Sequence, residues 1–200
     1  AYLRLLVNEN DSEALLRVIN YPTRGIGETT QNKLIVFADS QNVSLANVLD
    51  NLGIYAPHLG FNNGVISKLA DFWSMIKAFQ VMLKTENVYT VAMEVAQRSG
   101  LIKFLKDDQT PEGISRVENV QELMNSMQGF IEEQQQLEDG DPSLSSFLEN
   151  IALSTDQDKK NENEDQVSLM TIHLSKGLEF PVVHLVGLEE NLFPSFMSSS

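Results

Sequence analysis

Val65-Ile66-Ser67-Lys68-Leu69-Ala70-Asp71-Phe72-Trp73-Ser74-Met75-Ile76-Lys77-Ala78-Phe79-Gln80-Val81-Met82-Leu83 reads as one continuous helix. Ile66, Leu69, Phe72, Trp73, Ile76, Phe79, Val81, Met82 and Leu83 return at intervals of three and four residues and cover a broad face. A helix apolar over so wide an arc has to be covered on several sides, which predicts a central helix within a mainly helical domain. Trp73 reads as core and not as a platform for a stacked base.

The same period extends outward from Tyr2 to about Leu153, with Pro, Gly and Asn marking the loops. Upstream, Asp11 suits the N-cap of a helix carrying Leu15, Leu16, Val18 and Ile19, which ends at Tyr21-Pro22 because the residue before a proline is pushed out of the helical region. Ser44 caps a short helix to Leu52. Downstream, Val88 to Arg98 forms a helix that stops at Gly100. A longer helix follows Pro111, with Ile114, Val117, Val120, Leu123, Met124, Met127 and Ile131 on its apolar face, and fades into the polar run Glu132 to Gln136. Asp141-Pro142 predicts a cap and a first helical residue for a helix through Phe147, Leu148 and Ile151. The methionines fall at core spacing.

From 154 to 166 the chain turns polar and charged, as a linker does. Beyond it, Val167-Ser168-Leu169-Met170-Thr171-Ile172 and Val182-Val183-His184-Leu185-Val186 are β-rich runs around a glycine-containing turn. Two strands cannot make a sheet with both faces covered, so residues 167–200 read as part of a larger α/β domain, following a helical domain over 1–153.

The net charge of −14 argues against a general nucleic-acid coat, since non-specific binding is driven mainly by Lys and Arg against phosphates, so any such contact must be local. Much of the acid lies in two stretches, Glu132 to Asp141 and Asp156 to Asp165. There is no cysteine for a disulfide or thiolate metal site, and His58, His173 and His184 are too scattered for a metal site, so none is expected. The start Ala1-Tyr2-Leu3-Arg4 does not read as a secretory signal, and the apolar runs fall short of the roughly 20 residues of a membrane span. No membrane partner is expected.

Two segments carry chemistry. In Leu169-Met170-Thr171-Ile172-His173-Leu174-Ser175-Lys176-Gly177-Leu178-Glu179-Phe180, a strand delivers Thr171 and His173 to a loop where Ser175, Lys176 and Gly177 can approach a phosphate, with Glu179 beside it. Strand ends of α/β sheets are where ligands bind, although a Lys-Gly turn between strands can also be only a turn. In Pro22-Thr23-Arg24-Gly25-Ile26-Gly27-Glu28-Thr29-Thr30, two glycines around an apolar residue make a tight turn whose free amides open a helix. Amides at the positive end of a helix dipole suit a backbone phosphate, with charge added by Arg24 and Lys33 and a hydroxyl by Thr29 or Thr30; an ordinary interhelical turn is the plainer reading.

The first of these segments, with Gly187-Leu188-Glu189-Glu190-Asn191-Leu192-Phe193-Pro194 after it, resembles motif V of superfamily 1A DNA helicases of the UvrD/PcrA/Rep type, a TxHxxKGLEF stretch followed by GxxExxFP. Leu174 stands where polar or small residues are common in that family. The second resembles the Thr-Arg-Gly-Ile-Gly segment of the family's 2B subdomain, which touches the duplex ahead of the fork. Tyr2-Leu3-Arg4-Leu5 and Arg116-Val117-Glu118-Asn119-Val120-Gln121-Glu122-Leu123 agree in order, and Arg116, Glu118 and Asn119 read as ties between helices. The resemblance covers essentially the whole chain and is loosest between about Gln41 and Gln109.

The resemblance implies a helical 2B-type subdomain over 1–153, a linker over 154–166, and the first two strands of a RecA-like motor domain over 167–200. It implies duplex contacts at Thr23, Arg24, Gly25, Ile26, Gly27, Thr29, Thr30 and Lys33, single-strand contacts at Thr171, His173 and Ser175, and coupling to ATP through Lys176, Gly177 and Glu179. The parent it implies is an ATP- and Mg2+-dependent helicase moving 3′ to 5′ in the bacterial cytoplasm, associated with the nucleoid when at work. Its partners are DNA, the other motor domains, and repair or replication proteins. This stretch contains no GxxxxGK[ST] loop and no acidic magnesium motif, so by itself it is expected to hydrolyse no ATP. The rival readings are a helical protein-interaction or autoinhibitory module whose acidic surface docks a basic partner, and the related nuclease-helicases.

Overall fold

Most of the helix starts are fixed by a short polar side chain that takes up an otherwise orphaned amide. In the computed structural model Asp11, Ser44, Asn62, Asn87 and Thr110 accept from the amides of Ala14, Asn47, Val65, Thr90 and Gly113, all at 2.9–3.2 Å. Each such cap contributes about 1 kcal/mol. The structure describes residues 1–160, 167, 169–170 and 179–186. The helices in chain order are α1 (Tyr2–Val7), α2 (Ser12–Val18), α3 (Glu28–Gln41), α4 (Leu45–Asp50), α5 (Leu52–Leu59), α6 (Asn63–Met82), α7 (Val88–Arg98), α8 (Leu101–Asp107), α9 (Pro111–Gln136) and α10 (Leu144–Lys160). The chain divides into two compact units, 1–159 and 160–200.

In the first unit α6 is the central helix its sequence predicts. Leu69, Phe72, Trp73, Ile76 and Phe79 are all at most 4% exposed, and α6 packs against α1, α4, α5 and α7. Burying each of these side chains contributes about 2 kcal/mol, an upper figure because the unfolded chain already hides some apolar surface. The outer flank of α6 is tied down by charge. Lys77 bridges Glu9 at 2.7 Å and Asp50 at 3.1 Å, while the Trp73 indole donates to Asp50 at 2.7 Å. Burial opposes the Lys77 charge, but the two carboxylates outweigh it and hold its pKa above the ordinary lysine value. A second layer is built from α7, α8 and α9, with Met124, Met127 and Phe130 of α9 buried and Phe130 edge-on to Phe147 of α10 at 5.3 Å.

Several expected boundaries move. α2 ends at Val18 and hands over to a turn in which the Tyr21 amide reaches the Val18 carbonyl at 3.1 Å. The helix starting at Ser44 closes at Asp50, and a further helix, α5, runs from Leu52 to Leu59. Gly100, at φ 80°, both ends α7 and opens α8, a helix the sequence reading passed over. α10 starts two residues later than Asp141-Pro142 predicts. The Asp141 carboxylate is taken by the Ser143 amide and hydroxyl at 3.0 and 2.9 Å, and the Ser143 hydroxyl oxygen then accepts from the Ser146 amide at 3.2 Å. α10 also continues to Lys160, into the stretch read as a linker.

Of the expected strands, half of 167–172 falls outside the described residues, and 182–186 has no regular secondary structure. A strand exists only by exchanging ladder hydrogen bonds with a neighbour. No described residue is in a strand, and Val182 and Val186 are 72% and 79% exposed. No described helix is long and apolar enough to cross a membrane.

Candidate functional site

The turn between α2 and α3 is held from behind, and the outward side of its backbone is left open. The Asn20 side-chain oxygen accepts from the amides of Arg24 and Ile26 at 2.8 and 3.1 Å, closing the loop around one acceptor. Gly25 takes φ 73°, a left-handed conformation that other residues rarely adopt. The Ile26 side chain is 0% exposed and pins the turn to the core, while its carbonyl accepts from the Gln31 amide group at 3.1 Å.

Gly27 is the N-cap of α3, and its carbonyl receives the amides of Thr30 and Gln31 at 3.0 and 3.1 Å. No side chain caps this end. The amides of Glu28 and Thr29 therefore have no described protein acceptor, and the surface over Gly27 is clear: a Cβ there would meet nothing within 4 Å. Unfilled amides at the positive end of a helix dipole suit an anion.

Each predicted residue of this segment can now be placed. Thr23, Gly25, Gly27, Thr29 and Lys33 are exposed, and Thr30 is half-buried. Lys33 carries its ammonium over the Phe61 ring at 5.7 Å. Two expectations are corrected. Ile26 offers no surface, and its amide is already bound to Asn20.

Arg24 points inward. Its guanidinium donates to the carbonyls of Val18 and Pro22, both at 3.0 Å, to the Tyr2 hydroxyl at 2.6 Å and to the Ser99 carbonyl at 2.8 Å. It also covers the Phe72 ring at 5.4 Å. The Tyr2 hydroxyl itself donates to the Tyr21 carbonyl at 2.6 Å, and burial raises its pKa above the ordinary phenol value. Arg24 thus fastens the turn to α1 and to the α7–α8 junction and has little left to offer a phosphate.

A cation that sequence reasoning missed stands near Arg24's expected place. Lys68 of α6 lies against Gly25, its Nζ 2.5 Å from where a Cβ of that glycine would be. Its one legible signal is its spacing from Phe72, whose ring Arg24 covers: residues four apart share a helix face. Beside this surface, between α3 and α5, runs a groove of about 490 Å³ that shares Thr29 and Lys33 and reaches His58.

Thr171, His173, Ser175, Lys176 and Gly177 lie outside the described residues, and Glu179 is described and exposed. Arg116 makes a tie of the expected kind, from α9 to Asp108 at 3.6 Å. Among the described residues no group of three or more His, Asp or Glu could hold a metal ion.

Comparison with known proteins matches the whole chain, residues 1–200, to the UvrD-like helicase C-terminal domain family. Over 194 residues the chain is 35% identical to the ATP-dependent DNA helicase PcrA of Staphylococcus aureus, and equally so to that of Staphylococcus epidermidis. The aligned span is 97% of this chain and 26% of each relative, so the chain spans about a quarter of the length of the curated relatives it matches.

Proposed function

The chain belongs to the UvrD-like helicase C-terminal domain family, and from that premise we propose that it is a segment of an ATP-dependent DNA helicase whose first unit is a 2B-type subdomain gripping duplex DNA through the turn at Gly25 to Thr29. The observation that carries this reading is the uncapped start of α3. The open amides of Glu28 and Thr29, the Thr29 hydroxyl and the nearby Lys33 ammonium make a surface suited to phosphate oxygens on a chain of net charge −14. The turn is fixed by Asn20, Arg24 and Ile26, so little conformational freedom is lost when a phosphate docks.

The finer roles rest on family resemblance. Thr171, His173 and Ser175 would line the single-strand track, and Lys176, Gly177 and Glu179 would link that track to ATP. Movement from 3′ to 5′ belongs to the same proposal. ATP with Mg2+ would supply the driving hydrolysis in the intact protein. Of the residues assigned to that link here, only Glu179 is described, as an exposed residue.

The test is duplex binding by this chain, read as fluorescence anisotropy of a labelled short duplex at increasing salt. Gly27→Glu is sterically free, because nothing lies within 4 Å of the added Cβ, and it puts a carboxylate at the open amides. The expected result is a loss of affinity of about tenfold or more, with wild-type affinity falling log-linearly with salt. Equal affinity in a folded Gly27→Glu variant removes the phosphate role.

A further inference from the structure

We propose that Lys68, on α6, is a duplex-contact residue of this surface and supplies at its Gly25 end the positive charge that the inward-turned Arg24 does not. The inference rests on the reading of the turn as a duplex site and adds a residue from a separate part of the chain. Three observations support it.

The first is position. Lys68 Nζ, Cε and Cδ lie 2.5, 3.5 and 3.8 Å from the place of a Gly25 Cβ, so the side chain brings its ammonium end to the glycine at the exposed turn. The second is that the ammonium is uncommitted. Among the described residues the ion pairs are made by Arg4, Lys77, Arg98 and Arg116, and Lys68 makes none. The third is that Arg24, the cation the sequence places next to Gly25, is spent on four protein oxygens. The glycine at 25 is required by φ 73°, and the tip of Lys68 lies over the surface it leaves bare. Lys33 stands further along α3, so the two ammoniums serve different parts of the surface, and the exposed Glu28 carboxylate is the opposing charge beside them.

The experiment measures duplex affinity and its salt dependence for Lys68→Gln and Lys68→Arg in this chain, with Lys106→Gln on α8 as a control and thermal unfolding to confirm the fold. Lys68 is exposed and both replacements are good helix formers, so folding is not at risk. The expected result for Lys68→Gln is a loss of affinity of about threefold to tenfold and a log-log salt slope shallower by about 0.9, the loss of one phosphate contact. Lys68→Arg and Lys106→Gln keep both values. If Lys68→Gln leaves affinity and slope unchanged while Gly27→Glu abolishes binding, the turn binds duplex without Lys68 and the proposal is overturned. If the parent chain binds no duplex even at low salt, the reading of the turn fails and the role of Lys68 falls with it.

Discussion

Replacing Arg24 by alanine separates the structural account of this residue from the phosphate-binding role its sequence suggests. The guanidinium makes four hydrogen bonds of 2.6–3.0 Å, three of them to backbone carbonyls, and packs on Phe72. A hydrogen bond from a charged group is worth about 1.5–3 kcal/mol, but these four share one side chain and are not additive. Arg24 is half-buried, so water replaces part of what is lost. The net cost of Arg24→Ala is therefore about 3 kcal/mol. For a unit of this size each kcal/mol lowers Tm by about 2–4 °C, giving a fall of about 6–12 °C. Trp73 is the chain's sole tryptophan, buried at 4% exposure and bonded to Asp50, so its fluorescence reports unfolding of this unit directly. Arg24→Lys should recover little, because one ammonium cannot span the Tyr2, Ser99 and Val18 acceptors as a planar fork does. A Tm within about 2 °C of the parent, with duplex binding lost, would show that the guanidinium serves the ligand and would refute the inward assignment.

The remaining predictions concern the turn and the first helical cap. Gly25→Ala forces a Cβ into φ 73°, while the flexible Lys68 tip can step aside, so the backbone strain should cost about 1–2 kcal/mol in a denaturant titration; a neutral result would mean that the turn relaxes freely. The Asp11 carboxyl is held below its ordinary pKa of 3.8, first by the Ala14 amide and, against some burial, by Arg4. Its folded-state pKa is depressed, so its contribution is present above pH 3.8 and is lost as pH falls through the lower folded value. Asp11→Asn keeps a capping oxygen but cannot titrate, and its Tm should fall less than the parent's on acidification below that pH; parallel acid limbs would exclude Asp11 as a contributor.

What could be read from the sequence follows from how local the deciding physics is. Asp11 and Ser44 were legible as caps because a capping oxygen reaches an amide only three residues on. α6 was legible because its period is its packing, and α7 runs over the span its pattern gives. Gly100 was legible as a stop but hid α8, since one left-handed residue can end a helix and begin another. Asp141 misled because its carboxylate has two partners within reach, and Ser143 uses both and becomes the cap itself. At the turn, the glycine positions and the bare start of α3 were in the string. The direction of Arg24 was not, because its partner Ser99 lies 75 residues away and only the folded chain brings it near. Lys68 was nearly hidden for the same reason, since its nearness to Gly25 exists only in the folded chain.

On the proposed reading a chain of net charge −14 has to concentrate its attraction for duplex locally, and the turn is the place proposed for it. Its inner half, Asn20, Arg24 and Ile26, consumes the groups that would otherwise vary, while its outer half presents fixed amides and two lysines. The acidic run from Glu132 to Asp141 sits at the end of α9 and in the loop after it, and α9 packs mainly on α7 and α8. Fields from separated surface charges are damped over about 8 Å at physiological salt, so phosphates docked as proposed would feel the turn more than the net charge. Lowering the salt strengthens the attraction at the turn and lengthens the reach of the acidic surface together. The salt slope should then be shallower than the number of phosphate contacts alone gives, and neutralising acidic residues at the end of α9 should steepen it without creating a new contact.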